Sequence, residues 1–269
     1  MKKTNRFLQV FNNAVMSAAF MMQGEVLVKV FPAVTGKMMY VTKNMSSTRL
    51  RTGFFDIQTA VSRNNPYIMK YLPYKLADTC LDVVPKVKQV LIMGLGGGCF
   101  CHAVLKKHPD AGITAVDINP ELPGLARKYF GLPDRVQTIT AEAAEFMAIN
   151  DRQYDMVFLD VFEGMRTPTS IVNERFFKDP SRAVMPEGIV IMNTIKTLKK
   201  SKEHEKISRL FKTTFRYSLQ LRNWPGGLIP VNSEMVGASS ITVFDRINKI
   251  VNDKKGLSGI LPVMRVPMN

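Results

Sequence analysis

Four glycines, Gly94 and Gly96 to Gly98, break the apolar run VLIMGLGGGCF between Val90 and Phe100. Bare backbone between a strand and a helix lets a ligand press against the helix N-terminus. Asp117 follows the next apolar run, GITAVD, at the roughly twenty-residue offset where a carboxylate takes both hydroxyls of a ribose. Glu142 follows a third run, RVQTIT, and Asp160 closes a fourth, YDMVFLD, with Glu163 shortly beyond. Paired acids beside a nucleoside suit proton removal from an amine or the binding of a cation. Tight strand–helix packing would also account for the glycines, and Asp160 alone would serve as a loop cap. Nicotinamide binding is disfavoured, because Phe100 and Cys101 stand where a G-x-G-x-x-G fingerprint needs later glycines.

These residues need a frame that brings strand ends together. After Pro85 strands and helices alternate: VKQVLIMG, then CFCHAVLKKH; GITAVDI, then PELPGLARKYF; RVQTIT, then AEAAEFMA. YDMVFLD, SIVNERFFKDPSRAV and GIVIMNTI continue the series. Such alternation predicts an α/β fold: a Rossmann-like, seven-stranded, mostly parallel sheet with helices on both faces. Its near-continuous apolar strands agree, since strands buried on both sides need not alternate. FRYSLQLRNW and SSITVFD read as two late strands around the loop PGGLIPVNSEMVGA. Before Pro85, EVLVKVF, KMMYVTK and LRTGFFDIQ predict a small antiparallel β domain, followed by a helix over PYIMKYLPYKLADTCL that Pro73 kinks or splits. The expected divisions are an N-terminal arm or helix (1–24), a β segment with connecting helix (25–84), a nucleoside-binding domain (85–250) and a tail (251–269).

Bulk composition narrows the setting. With 37 basic and 22 acidic residues the net charge is +15, which favours contact with a polyanion. The densest basic run, KTLKKSKEHEK, contains two glutamates and reads as a solvated helix face. Three cysteines make no disulfide framework, so a reducing, cytoplasmic setting is the simplest expectation. Cys99, Cys101 and His102 are too few for a zinc site, and no metal is expected. No stretch has the apolar length of a transmembrane segment. Residues 1–24 carry early positive charges and leave organelle targeting or secretion open.

From Val87 to Asn193 the chain resembles the spermidine synthase-like (polyamine aminopropyltransferase-like) family of the class I S-adenosylmethionine-dependent methyltransferase superfamily. The resemblance rests on GLGGG, AVDINPEL, ARKYFGL, YDMVFLDVFEG, the PTSIVNERFF segment and AVMPEGIVIMN. It implies that Gly94, Gly96, Gly97 and Gly98 hold the methionine-derived part of an adenosyl nucleoside and that Asp117 binds its ribose. Glu142 and Ala143 would stand at the adenine. Asp160 would take a proton from the attacking nucleophile, with Glu163 nearby, while Gln58, Tyr67 and Trp224 would line the acceptor side. The donor would be S-adenosylmethionine or its decarboxylated form.

The departures are as informative. The family's G-G-G-D-G loop reads G-G-G-C-F here, so Cys99 replaces an acid that grips the donor's amino group. The polyamine-contacting Tyr-His-Glu segment reads Tyr67-Ile68-Met69. A cationic substrate needs acceptors to replace its hydration, and the positive net charge opposes it at long range. These departures favour methyl transfer to a less cationic acceptor, a small molecule or a protein. Aminopropyl transfer to an amine and a non-catalytic binding module of the same fold are the alternatives. A homodimer is compatible with any of the three.

Overall fold

A computed structural model of the chain describes residues 2–54, 56–68, 72–84, 86–164, 166–196, 201–223, 231–253 and 260–265. It begins with helix α1 (Lys2–Met22) and an antiparallel sheet of β1 (Val26–Pro32), β2 (Met38–Lys43), β3 (Ser47–Arg51) and β4 (Ile57–Ser62), in that spatial order. Helix α2 (Leu72–Leu81) leads into the large sheet. Pro73 falls at the second residue of α2, where its missing N–H costs nothing, so it opens the helix and does not kink it.

The alternation then runs as expected. Strands β5 (Gln89–Met93), β6 (Gly112–Asp117), β7 (Gln137–Thr140) and β8 (Tyr154–Leu159) are separated by α3 (Cys99–Lys107), α4 (Leu122–Phe130) and α5 (Ala143–Ile149). Helix α6 (Glu174–Arg182) precedes β9 (Val184–Lys196), and α7 (Ser201–Thr214) precedes β10 (Tyr217–Asn223). Strand β11 (Val231–Ala238), helix α8 (Ile241–Asp253) and strand β12 (Ile260–Arg265) follow. The sheet order is β12-β10-β11-β9-β8-β5-β6-β7. Strands β5 to β9 pair in parallel, and β11 enters antiparallel between β9 and β10.

Two expectations change. SSITVFD opens helix α8, because Val243, Phe244 and Ile247 share one buried helical stripe. The hairpin partner of β10 is therefore β11, drawn from the segment expected to be a loop. The sheet also gains an eighth strand, β12, from the region expected as a tail, which contains the end of α8 as well.

The core follows from strand parity. On β5, Val90 and Ile92 join the cluster beneath α2, α3 and α8, while Leu91 and Met93 join the cluster beneath α6 and α7. All four are at most 1% exposed, and burying each such side chain contributes about 1.5–3 kcal/mol. That two-sided burial explains the unbroken apolar run.

Phe20 of α1 is fully buried against Tyr40 of the small sheet, and Glu25, in the link between α1 and β1, is tied to that sheet by charge. Glu25 accepts from Thr42 Oγ1 at 2.5 Å and from Arg51 at 2.6 Å, and also pairs with Arg49. Burial works to raise the Glu25 pKa. The Arg51 and Thr42 hydrogen bonds and the two guanidinium charges outweigh it and hold the pKa below the usual carboxylate value. Its contribution to stability is therefore present above the unfolded value, about 4.3, and is lost as pH falls through the lower folded one. Breaking a buried pair leaves an uncompensated cation, so Glu25→Gln should cost about 3–5 kcal/mol. Urea unfolding at neutral pH checks the loss, which should narrow in acid.

Candidate functional site

The registers of the large sheet align five residues in one row. Met93 pairs with Val116 and with Leu159, Leu159 with Met192, and Asn193 with Glu234. One step beyond the first three pairs, Asp117, Gly94, Asp160 and Asn193 stand side by side, and Glu234 completes the row. By parity they share the face of Ala115, Phe158, Ile191 and Val236, which belong to the cluster beneath α2, α3 and α8. Backbone bonds knit the row: Gly94 N donates to Val116 O at 2.8 Å, and Asp160 N donates to Met93 O at 2.8 Å.

The glycines meet several needs at once. A Cβ on Gly94, whose φ is +94°, would lie 2.2 Å from the Asp160 carbonyl oxygen. A Cβ on Gly97 would strike Phe130 at 2.8 Å and Thr59 at 2.9 Å, and one on Gly98 would strike Leu132 at 2.8 Å. Much of the bare backbone thus serves close packing by the protein itself, including β4 of the small sheet. The loop amides are engaged too. Leu95 N and Gly96 N donate to Asp117 Oδ2 at 2.9 and 3.4 Å, and Gly97 N donates to Thr59 Oγ1 at 3.3 Å. A dinucleotide pyrophosphate draws on such amides; a sulfonium nucleoside, which carries no phosphate, does not.

Asp117 is half-buried, and its Oδ1 accepts from Asn119 N at 2.9 Å. Burial raises its pKa, opposed by the backbone N–H groups of Asn119, Leu95, Gly96 and Ile118. A carboxylate oxygen has two lone pairs; Oδ2 already accepts from two amides, so the room for a hydroxyl donor is at Oδ1. Glu142 caps α5, accepting from Glu145 N at 2.9 Å through one oxygen and from Ser170 Oγ at 2.9 Å through the other. Ala143 is buried as the first residue of that helix.

Asp160 is half-buried and accepts from Asn193 Nδ2 at 2.8 Å. Glu163 is exposed, and its backbone forms a bridge with Arg166. Gln58 is half-buried on β4, next to the Thr59 that supports the loop. Tyr67 is 39% exposed, with its ring edge-on to His102 at 5.8 Å between centroids. Trp224 and Met69 lie outside the described residues.

Cys99 is buried, with Sγ 3.9 Å from the Ala60 carbonyl oxygen. Burial, and after it the Asp160 charge, push its pKa up to about 12. It is a neutral thiol at physiological pH and does not replace an acid electrostatically. Among the described residues no group of three or more His, Cys, Asp or Glu gathers to hold a metal, and no helix is long and apolar enough to cross a membrane.

Sequence reasoning missed Asn193 and Glu234. Glu234 is fully buried, and among the described residues neither of its carboxyl oxygens has a hydrogen-bond partner. Burial, and after it the charge on Asp160, push its pKa well above the usual carboxylate value. The available signal was a polar residue inside an apolar run, Asn in IVIMNTI and Glu ahead of Met-Val.

Residues 74–229 match the model of the spermine/spermidine synthase domain family. The chain belongs to this family. Within it, the chain is similar to the polyamine aminopropyltransferase of Chromobacterium violaceum, with 36% identity over 109 residues covering 39% of this chain and 42% of the relative. It is likewise similar to that of Neisseria meningitidis serogroup A, with 34% identity over 115 residues covering 42% of this chain and 43% of the relative. Each match spans less than half the length of the relative. A crystal structure of a probable spermidine synthase from Corynebacterium glutamicum shares the fold, with a TM-score of 0.73 over 87% of this chain and 90% of that one, at 14% identity. Asp117, Gly94, Asp160 and Asn193 fall within the family span, and Glu234 lies beyond it.

Proposed function

We propose that this chain is an aminopropyltransferase, taking decarboxylated S-adenosylmethionine as donor and a cationic amine as acceptor. The observation that carries the reading is the family match over the segment holding Asp117, Gly94 and Asp160, joined by relatives named as polyamine aminopropyltransferases. Methyl transfer, favoured from the sequence departures, gives way to it. The charge objection also weakens. The +15 is dispersed along the chain, and beyond about 8 Å such charges are screened at physiological ionic strength. Asp160 in the site acts at contact range.

Asp117 holds the ribose hydroxyls, with Glu142 and Ala143 at the adenine and the loop Gly94 to Gly98 against the methionine-derived chain. Gln58, Tyr67 and Trp224 line the acceptor side, and Glu163 is the second carboxylate beside Asp160. The amine nitrogen attacks the carbon next to the sulfonium. A C–N bond forms as the C–S bond breaks, and its electron pair leaves with sulfur as a neutral thioether. Asp160 accepts the proton that the amine sheds, held in place by Asn193 Nδ2. The rest of the rate comes from alignment of nucleophile and leaving group.

Incubation with decarboxylated S-adenosylmethionine and 1,4-diaminobutane should yield methylthioadenosine and a triamine in equal amounts, read by mass spectrometry. Thermal-shift measurements should rank the decarboxylated donor and methylthioadenosine above S-adenosylmethionine and NAD. A methylated product from S-adenosylmethionine would restore the methyl-transfer reading, and failure to bind any adenosyl nucleoside would favour the non-catalytic module.

A further inference from the structure

The row of strand-end residues does not stop at Asp160. Two positions along, Glu234 is fully buried, and neither of its oxygens has a hydrogen-bond partner among the described residues. Its register neighbour Asn193 gives Nδ2 to Asp160, while its own Oδ1 is buried with no partner among the described residues. Three acceptor atoms are therefore sequestered and unused beside the Asp160 carboxylate. Buried acceptors left in this state are costly and call for a reason.

A structural explanation fits poorly here. On the opposite face of the sheet a buried polar cluster is internally satisfied: His204 bonds Thr194 at 3.4 Å and Gln220 at 2.7 Å. Nothing comparable secures Glu234. The titratable groups that bear on it are Asp160 at the end of β8 and, next to Asp160, the neutral Cys99 thiol at the start of α3. From α8 the packing is apolar, through Val243, Phe244 and Ile247, and α2 contributes Ala77, Cys80 and Leu81.

We propose that Glu234 is a substrate-binding carboxyl of this site, which with the Asn193 carbonyl oxygen receives an ammonium group of the amine acceptor alongside Asp160. The assignment rests on the amine-acceptor reading above and adds to it where the positive end of the substrate lies. An ammonium has three donors, and Glu234 with Asn193 Oδ1 offers three unused acceptor atoms. In the empty site burial and the Asp160 charge shift the Glu234 carboxyl toward its neutral form. When the ammonium arrives, Glu234 gives its proton to water and the ion pair forms, so binding releases one proton.

Calorimetric titration of 1,4-diaminobutane into the full chain with methylthioadenosine present, in phosphate and in Tris at one pH, reads that proton directly. Wild type should release about one proton per site. Glu234→Gln should bind the diamine about 10–100-fold more weakly without proton release, and with unchanged affinity for methylthioadenosine. Glu234→Met should lose diamine binding similarly while raising Tm by about 2–4 °C, as expected when an unpartnered buried acid becomes apolar. Diamine binding without proton release, with Glu234→Gln equal to wild type, would overturn the assignment and leave the amine reading intact. Failure of wild type to bind the diamine at all would overturn both.

Discussion

Asp160→Asn should lower turnover by about 100- to 10,000-fold while leaving donor binding close to wild type. The substitution keeps the oxygen that accepts from Asn193 Nδ2, so the side chain holds its place and loses only its charge and basicity. Its backbone N–H to Met93 O, which locks the strand end, is untouched. A second consequence follows from charge. Asp160 is one of the influences that raise the pKa of Glu234 and of Cys99, so both groups should titrate lower in the variant. Single-turnover kinetics with calorimetry of the donor separates the two parts. Full activity would remove Asp160 from the chemistry, and loss of donor affinity would make it a structural cap.

Gly94→Ala should be the most damaging glycine-to-alanine change among the described residues. The added carbon meets backbone, the Asp160 carbonyl at 2.2 Å, and backbone cannot rotate away as a side chain can. The φ of +94° adds strain for any L side chain. Together these terms cost roughly 2–6 kcal/mol, a large share of a typical domain's stability. Relief would require β5 and β8 to part at the point where Asp117 and Asp160 are set. Donor binding should therefore fail even at temperatures where the variant stays folded. Circular dichroism melts paired with thermal shifts by methylthioadenosine would check both effects. Gly131→Ala is the comparison: its added Cβ meets nothing within 4 Å, although its φ of +70° is also left-handed, so it isolates conformational strain from collision.

The parallel half of the sheet was legible because each strand is sealed on both faces and so reads as unbroken apolar sequence. Asp117 and Asp160 stood out as acids at the ends of such runs, and the register places them in one row with Gly94. In the antiparallel half only β10 was legible, as the run FRYSLQLRNW. Strand β11 pairs with β9, from which it is separated in sequence by α7 and β10, and no local pattern encodes that neighbour. SSITVFD looked like a strand because its first residues are β-branched and the helical stripe shows only when Ile247 is included. Glu234 was hidden for the same reason: an acid in a segment taken for a loop is unremarkable until the segment becomes a buried strand. The glycine loop was read for a ligand, whereas Thr59, Phe130 and Leu132 account for much of its bareness. Those contacts come from β4 and from the end of α4, distant in sequence from the loop.

The insertion of β11 between β9 and β10 also sets an order of assembly during synthesis. Asp117, Gly94 and Asp160 are all in hand once the chain has grown past β8, and parallel pairing of β5, β6 and β8 can align them. Asn193 comes later, and Glu234 only after β10 has been made and β11 has slotted in beside β9. Chains fold from the N-terminus as they emerge, and long-range pairings close last. A ribosome-bound chain therefore acquires its nucleoside-binding half well before the opposite wall of the cleft exists. Premature termination after β9 would leave a fragment with the first half of the site and a bare β9 edge in place of the second.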